Sequence, residues 1–164
     1  MWDPDGSGPL SPRLVVAGSF QIVGNVQASR VAALDLATGT WSALGSGLTN
    51  EVQALAVLPN GDLVAGGFFT TGGGVTVNRV ARWNGSAWQD TGLYVGSRYY
   101  RSTVIDIAAG MGGVYAVGLI DHAPVGTSFA NGIACYNGSQ WSNLGSGLTS
   151  LGSDSAYTAA NNVT

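Results

Sequence analysis

Two residue types that often carry chemistry occur once each, as His122 and Cys135. Nucleophilic catalysis needs a base held against its nucleophile. His122 stands in Ile120-Asp121-His122-Ala123-Pro124, a loop segment, and a sequence neighbour such as Asp121 does not by itself orient an imidazole. Serines abound, but no Gly-x-Ser-x-Gly elbow opens a helix. Zinc and copper favour several nitrogen and sulfur ligands, and one histidine with one cysteine does not supply them. Cys135 falls in the alternating segment Gly132-Ile133-Ala134-Cys135-Tyr136. It is expected to pack as a small buried hydrophobe, because no basic neighbour is present to activate the thiol.

The carboxylates are equally sparse. Glu51 is the sole glutamate among nine acidic residues, and no pair stands out for glycoside cleavage. Asp3-Pro4-Asp5-Gly6-Ser7-Gly8 opens like a calcium loop. A twelve-residue loop closes on a bidentate acid, and leucine stands at that position here. A plain turn is the expected reading, with calcium its alternative. Gly72-Gly73-Gly74 lacks the lysine and following helix of a phosphate cradle and is expected to be a flexible loop. No catalytic residue, metal ligand or cofactor is therefore assigned.

The one distinctive surface segment is an insertion. Trp41 and Val52 lie 11 positions apart, whereas the corresponding Trp88 and Val104 lie 16 apart. The extra length falls in residues 93–102, which include Arg98, Tyr99, Tyr100 and Arg101. Tyrosine and arginine anchor interfaces through rigid area and forked hydrogen bonding. These four residues are the expected partner contacts. The alternative is that they cover a blade edge or meet a missing neighbour.

The elements that position these residues repeat. Leu44-Gly45-Ser46-Gly47-Leu48-Thr49 recurs letter for letter at Leu144–Thr149. Trp41, Trp88 and Trp141 lie 47 and 53 positions apart. Val15-Val16-Ala17-Gly18-Ser19-Phe20 aligns with Leu63-Val64-Ala65-Gly66-Gly67-Phe68, and loosely with Val114–Leu119. Ser29-Arg30-Val31-Ala32 aligns with Asn78-Arg79-Val80-Ala81 and Asn131-Gly132-Ile133-Ala134. Each unit holds four short segments rich in β-branched and apolar residues, bounded by turn formers. Asn84-Gly85 and Asn137-Gly138 mark two-residue hairpins, since both residues accept positive φ. A repeat of about 50 residues with four strands predicts β-propeller blades, which must stack to bury their faces. The expected fold is all-β, a partial propeller of about three four-stranded antiparallel blades. The units are 1–12 (an inter-blade turn), 13–61, 62–112 and 113–164, the last one short of a full blade or complete.

With Gly66-Gly67, Trp83 and Trp88, and with the Asp35-x-x-Thr38-x-x-Trp41 spacing, the chain resembles kelch-type propeller repeats. The resemblance spans residues 13 to 160 and is closest to repeats of large bacterial secreted or surface proteins. Leu34 stands where that family prefers tyrosine, and the third unit has Val117-Gly118 in place of the glycine pair. The resemblance implies a non-catalytic binding or scaffold module that presents loops to a protein or glycan partner. Its rival is a piece of a larger propeller oxidase or lyase whose catalytic residues lie elsewhere. A kelch-fold copper oxidase would need a second histidine. Three units do not close a ring of four to eight blades, so a longer propeller, or self-association of two half-rings, is expected.

Composition narrows the partners. Charged residues make up 9% of the 164 and the net charge is −3, against roughly 25% charged in ordinary soluble domains. All six basic residues are arginine. Scattered arginines cannot neutralise a phosphate backbone, so no nucleic acid is expected. No apolar run approaches the ~20 residues of a spanning helix, so no membrane insertion is expected. Low charge and the absence of lysine suggest an extracellular or cell-surface setting.

Overall fold

The computed structural model describes residues 1–3, 11–93, 103–120, 132–145 and 147–148. Every regular element among them is a β-strand. The first sheet joins β1 (Arg13–Ala17), β4 (Val31–Asp35) and β5 (Thr40–Ala43) in the order β1-β4-β5. Between β1 and β4 stands a short ribbon of β2 (Ile22–Val23) and β3 (Val26–Gln27). The second sheet joins β6 (Val52–Val57), β7 (Leu63–Gly67), β10 (Val80–Trp83) and β11 (Trp88–Asp90). Its ribbon is β8 (Thr71–Gly72) with β9 (Val75–Thr76). The third sheet joins β12 (Val104–Gly110), β13 (Gly113–Gly118), β14 (Ile133–Tyr136) and β15 (Trp141–Asn143). All pairings are antiparallel, and each main sheet is a meander, interrupted by a ribbon between β1 and β4 and between β7 and β10.

Hydrogen bonding sets the phase of the repeat. Val52–Val57 pairs with β7, from Val57 opposite Leu63 to Val52 opposite Gly67. The bonded unit thus runs from Val52 to Asp90, and the next from Val104 to Asn143. The units 13–61, 62–112 and 113–164 carry the same period, displaced by one strand. A repeat can be cut at any phase, whereas Pro59-Asn60-Gly61-Asp62 is a tight hairpin that commits β6 to the strand after it. There Leu58 N donates to Asp62 O at 2.8 Å and Gly61 N to Leu58 O at 2.9 Å. In the first sheet, Trp2 pairs antiparallel with Arg13 at the start of β1.

Alternation distributes the core. Along β7, Leu63 and Ala65 join the cluster shared with the first sheet, and Val64 joins the cluster shared with the third. Along β10, Ala81 and Trp83 face the first sheet and Val80 the third. The two central strands of the middle sheet, β7 and β10, are therefore buried on both faces, as stacked sheets require. Trp83 and Trp88 form a tilted pair, ring centroids 5.4 Å apart, and Tyr136 and Trp141 a stacked pair at 4.9 Å. Both are cross-strand neighbours, the arrangement that stabilises a sheet most.

The hairpins use different turn chemistry from the expected Asn-Gly pair. Gly85 (φ +93°) and Gly138 (φ +97°) are left-handed, but Asn84 and Asn137 are not. Asn84 N donates to Ala87 O at 3.2 Å, which puts Gly85-Ser86 at the centre of the turn. The Asn84 side chain is the cap, its Oδ1 accepting from Ser86 N at 3.0 Å and Ala87 N at 2.9 Å. Asn137 repeats this with Ser139 N and Gln140 N. Asp35 takes the same place in the first unit, accepting from Ala37 N at 2.9 Å and Thr38 N at 3.1 Å. These bonds, that from Thr38 foremost, hold the Asp35 carboxyl below the usual carboxylate range.

Neighbouring sheets are also tied by polar contacts. Trp88 Nε1 donates to Leu44 O at 2.8 Å in a buried setting. Arg82 pairs with Asp62 beside it and donates to Gly138 O of the third sheet at 2.8 Å. Burial opposes the Arg82 charge, but hydrogen bonds with Asp62 and Tyr136 outweigh it and raise the guanidinium above its ordinary range.

Candidate functional site

The repeated Leu-Gly-Ser-Gly-Leu-Thr segment builds one wall of a cleft. Leu44 is buried, and its carbonyl accepts from Trp88 Nε1 and from Gly47 N at 3.2 Å. Gly47 then lies against Ser29, where a Cβ would come within 2.2 Å of Ser29 O. Leu48 N donates to Ser29 O at 3.0 Å, and Gly73 N to Gly47 O at 2.9 Å. Thr49 caps the β8 ribbon, its Oγ1 taking the N–H of Thr71 at 3.2 Å. The loop is thereby stitched to Ser29 on one side and to the β8–β9 ribbon on the other. Gly72-Gly73-Gly74, expected to be a flexible loop, is the end of β8 and the turn into β9.

Between these elements lies an open cleft of about 280 Å³. Gln21, Ser29, Arg30, Ser46 and Thr71 line it, with the backbone of Gly47, Gly73 and Gly74 alongside. None of those five side chains hydrogen-bonds to a described residue. Thr49, which also lines the cleft, uses its side chain internally, as Asp35, Asn84 and Asn137 do in the capped turns.

Arg30 is the distinctive member. Its φ is +71°, in the left-handed region that costs an L-residue about 1–2 kcal/mol. Its backbone is held from both sides, Arg30 N donating to Phe20 O at 2.9 Å and Arg30 O accepting from Gly18 N at 3.0 Å. Arg79 occupies the same place in the second unit (φ +66°), and Gly132 in the third (φ +83°). The equivalent bonds recur, Gly67 N to Arg79 O and Gly118 N to Gly132 O, both at 3.0 Å. The Arg79 guanidinium turns back onto Phe68 O. The Arg30 guanidinium, half-buried at the cleft, has no such partner among the described residues. Strain of this kind persists where surrounding structure over-determines it, and it concentrates at binding sites.

Arg98, Tyr99, Tyr100 and Arg101 lie outside the described residues, as do His122, Asp121 and residues 4–8 of the Asp3–Gly8 turn. Cys135 is half-buried on β14, opposite Tyr115 and Ser142. It is less enclosed than its alternating segment suggested, and Tyr136 beside it points to the other, buried face. Among the described residues no three of His, Cys, Asp and Glu come together. No helix of the described residues is long and apolar enough to cross a membrane.

The cleft itself was not singled out from the sequence. Its signal was present in one aligned column, where arginine, arginine and glycine follow one another at Arg30, Arg79 and Gly132. A glycine at a repeat position otherwise held by arginine points to a left-handed backbone.

Residues 8–155 match the model of the family described as the Rax2 C-terminal beta propeller domain. No curated protein matches the chain.

Proposed function

The chain belongs to the Rax2 C-terminal beta propeller domain family, and from that premise we propose that it is a non-catalytic binding or scaffold module. The observation that carries this reading is the cleft at the junction of the first two sheets. There, five polar side chains that make no hydrogen bond to a described residue stand on a tightly stitched frame. Rigid sheets that present polar groups on loops are suited to recognition. The finer reading is a kelch-like module at the cell surface or outside the cell, with a protein or glycan partner. Its support is the Asp35-to-Trp41 spacing, the Gly66-Gly67 pair and the low charge. The inserted segment with Arg98, Tyr99, Tyr100 and Arg101 joins β11 to β12, just as the cleft-forming loop joins β5 to β6, and is proposed as a second contact.

The test is binding of the purified chain to arrays of glycans and extracellular proteins, beside a Ser46→Trp variant. Ser46 is exposed on the cleft rim, so the indole blocks the cleft without disturbing the core. Selective binding that the variant loses supports the reading. A chain that binds nothing, or a blocked cleft that binds equally well, refutes it.

A further inference from the structure

We propose that the cleft between the first two sheets recognises an acidic saccharide, a sugar ring that carries a carboxylate, with Arg30 as the carboxylate-binding residue. This rests on the binding-module reading and names its ligand class.

The inference starts from the difference between two equivalent arginines. Arg30 and Arg79 share a backbone conformation, with φ of +71° and +66°, and share the same backbone hydrogen bonds. Arg79 satisfies its guanidinium on Phe68 O. Arg30 lines the cleft, and its guanidinium makes no hydrogen bond to a described residue. Glycine would hold this backbone with less strain, and Gly132 does so in the third unit. An arginine here therefore adds nothing to the backbone and supplies a fork of donors that matches a carboxylate in two parallel bonds.

The rest of the lining favours a sugar over an acidic peptide. Gln21, Ser29, Ser46 and Thr71 offer an amide and three hydroxyls, each able to donate and accept. A pyranose presents hydroxyls of the same dual character around its ring. The volume of about 280 Å³ lies just below the usual range of small-molecule pockets, the scale of one or two sugar rings. An acidic peptide would instead gain most by adding a strand to a free sheet edge. Yet the nearest strands, β2, β3, β8 and β9, are two residues each.

The experiment is a titration of the whole chain with glucuronate, glucose and an acidic tripeptide, followed by backbone amide NMR. Arg30→Gly, Arg30→Gln and Arg79→Gly are run in parallel. Glycine fits the left-handed site, so Arg30→Gly removes the guanidinium from a backbone that remains folded. The expected result is glucuronate-dependent shifts at Ser29, Ser46, Gly47 and Gly73. Both Arg30 variants should weaken glucuronate binding by about tenfold or more, the loss of a charge-assisted pair, while Arg79→Gly leaves it unchanged. Binding should weaken with added salt. Equal affinity for glucose and glucuronate would overturn the carboxylate assignment. Tighter binding of the tripeptide would overturn the saccharide. Retained binding in Arg30→Gly would overturn the role of Arg30. If none of the three probes binds, the ligand class is refuted, while array binding lost in Ser46→Trp would still uphold the module. Failure of both sinks the wider reading too.

Discussion

Replacing Gly67 with alanine tests why each unit carries a glycine at the end of its central strand. Val52 pairs with Gly67 and Ala54 with Gly66, so Gln53 is the extra residue of a bulge. The bulge presses Glu51 O onto Gly67, and Phe68 N closes the arrangement by donating to Glu51 O at 2.9 Å. A Cβ at Gly67 would lie 2.3 Å from that oxygen. The obstacle is backbone, which cannot swing aside as a side chain can. Relief requires the two strands to part by about 1 Å, an overpacking cost of ~1–3 kcal/mol. The Phe68 bond, worth about 1 kcal/mol, weakens with it. Alanine recovers ~0.4–1 kcal/mol by restricting the unfolded chain, and Gly67 is not left-handed, so no dihedral penalty is added. The net expectation is a loss of ~1–3.5 kcal/mol. Gly118 is its counterpart, its Cβ meeting Thr103 O at 2.2 Å beside the bulge between Val104 and Asp106, and Gly118→Ala should cost the same. Gly138→Ala is the control: it has nothing within 4 Å and a φ of +97°, so it pays only the ~1–2 kcal/mol of a left-handed alanine. Urea unfolding followed by tryptophan fluorescence reads all three. If Gly67→Ala proves no more destabilising than Gly138→Ala, close backbone approach is not what requires this glycine.

Three further outcomes follow from the geometry. Trp88→Phe should cost about 1–3 kcal/mol more than Trp141→Phe, because both indoles are buried but only Trp88 Nε1 has a partner, Leu44 O; equal midpoints would refute this. Arg30→Gly should be at least as stable as the wild type, while Arg79→Gly also forfeits a guanidinium bond to Phe68 O, so its denaturation midpoint should be the lower of the two. The Asp35 carboxyl is depressed on folding, so its contribution is present above the unfolded value of about 3.9 and is lost as pH falls through its lower folded value. Asp35→Asn should remove this acid-side dependence yet keep the turn, since asparagine caps the other two hairpins; an unchanged acid profile by circular dichroism would refute the assignment.

The letter-for-letter repeat at Leu44 and Leu144, the tryptophan spacing and the period-2 alternation were enough to specify stacked antiparallel sheets. Such local patterns survive because every unit must bury the same two faces. Asp35, Asn84 and Asn137 were legible as turn formers, but not as caps with Gly85 and Gly138 carrying the positive φ. That division depends on which carbonyl each N–H meets. The strand 52–57 was legible as a strand and not as the partner of Leu63–Gly67, because a repeat has a period and no phase until hydrogen bonds choose one.

The cleft depended wholly on tertiary structure. Gln21, Ser29 and Arg30 flank one unit's ribbon, Ser46 and Gly47 come from its closing loop, and Thr71 and Gly73 from the next unit. No spacing in the chain links them, and polar residues in loops look alike until contacts reveal which are already satisfied. The sequence by itself determined the strand class, the repeat and the need to stack, because those follow from side-chain alternation and turn chemistry. Tertiary structure alone decided that two arginines at the same repeat position differ, one bonded to its own loop and one without a guanidinium partner among the described residues, because that difference lies in where each side chain turns from a shared backbone.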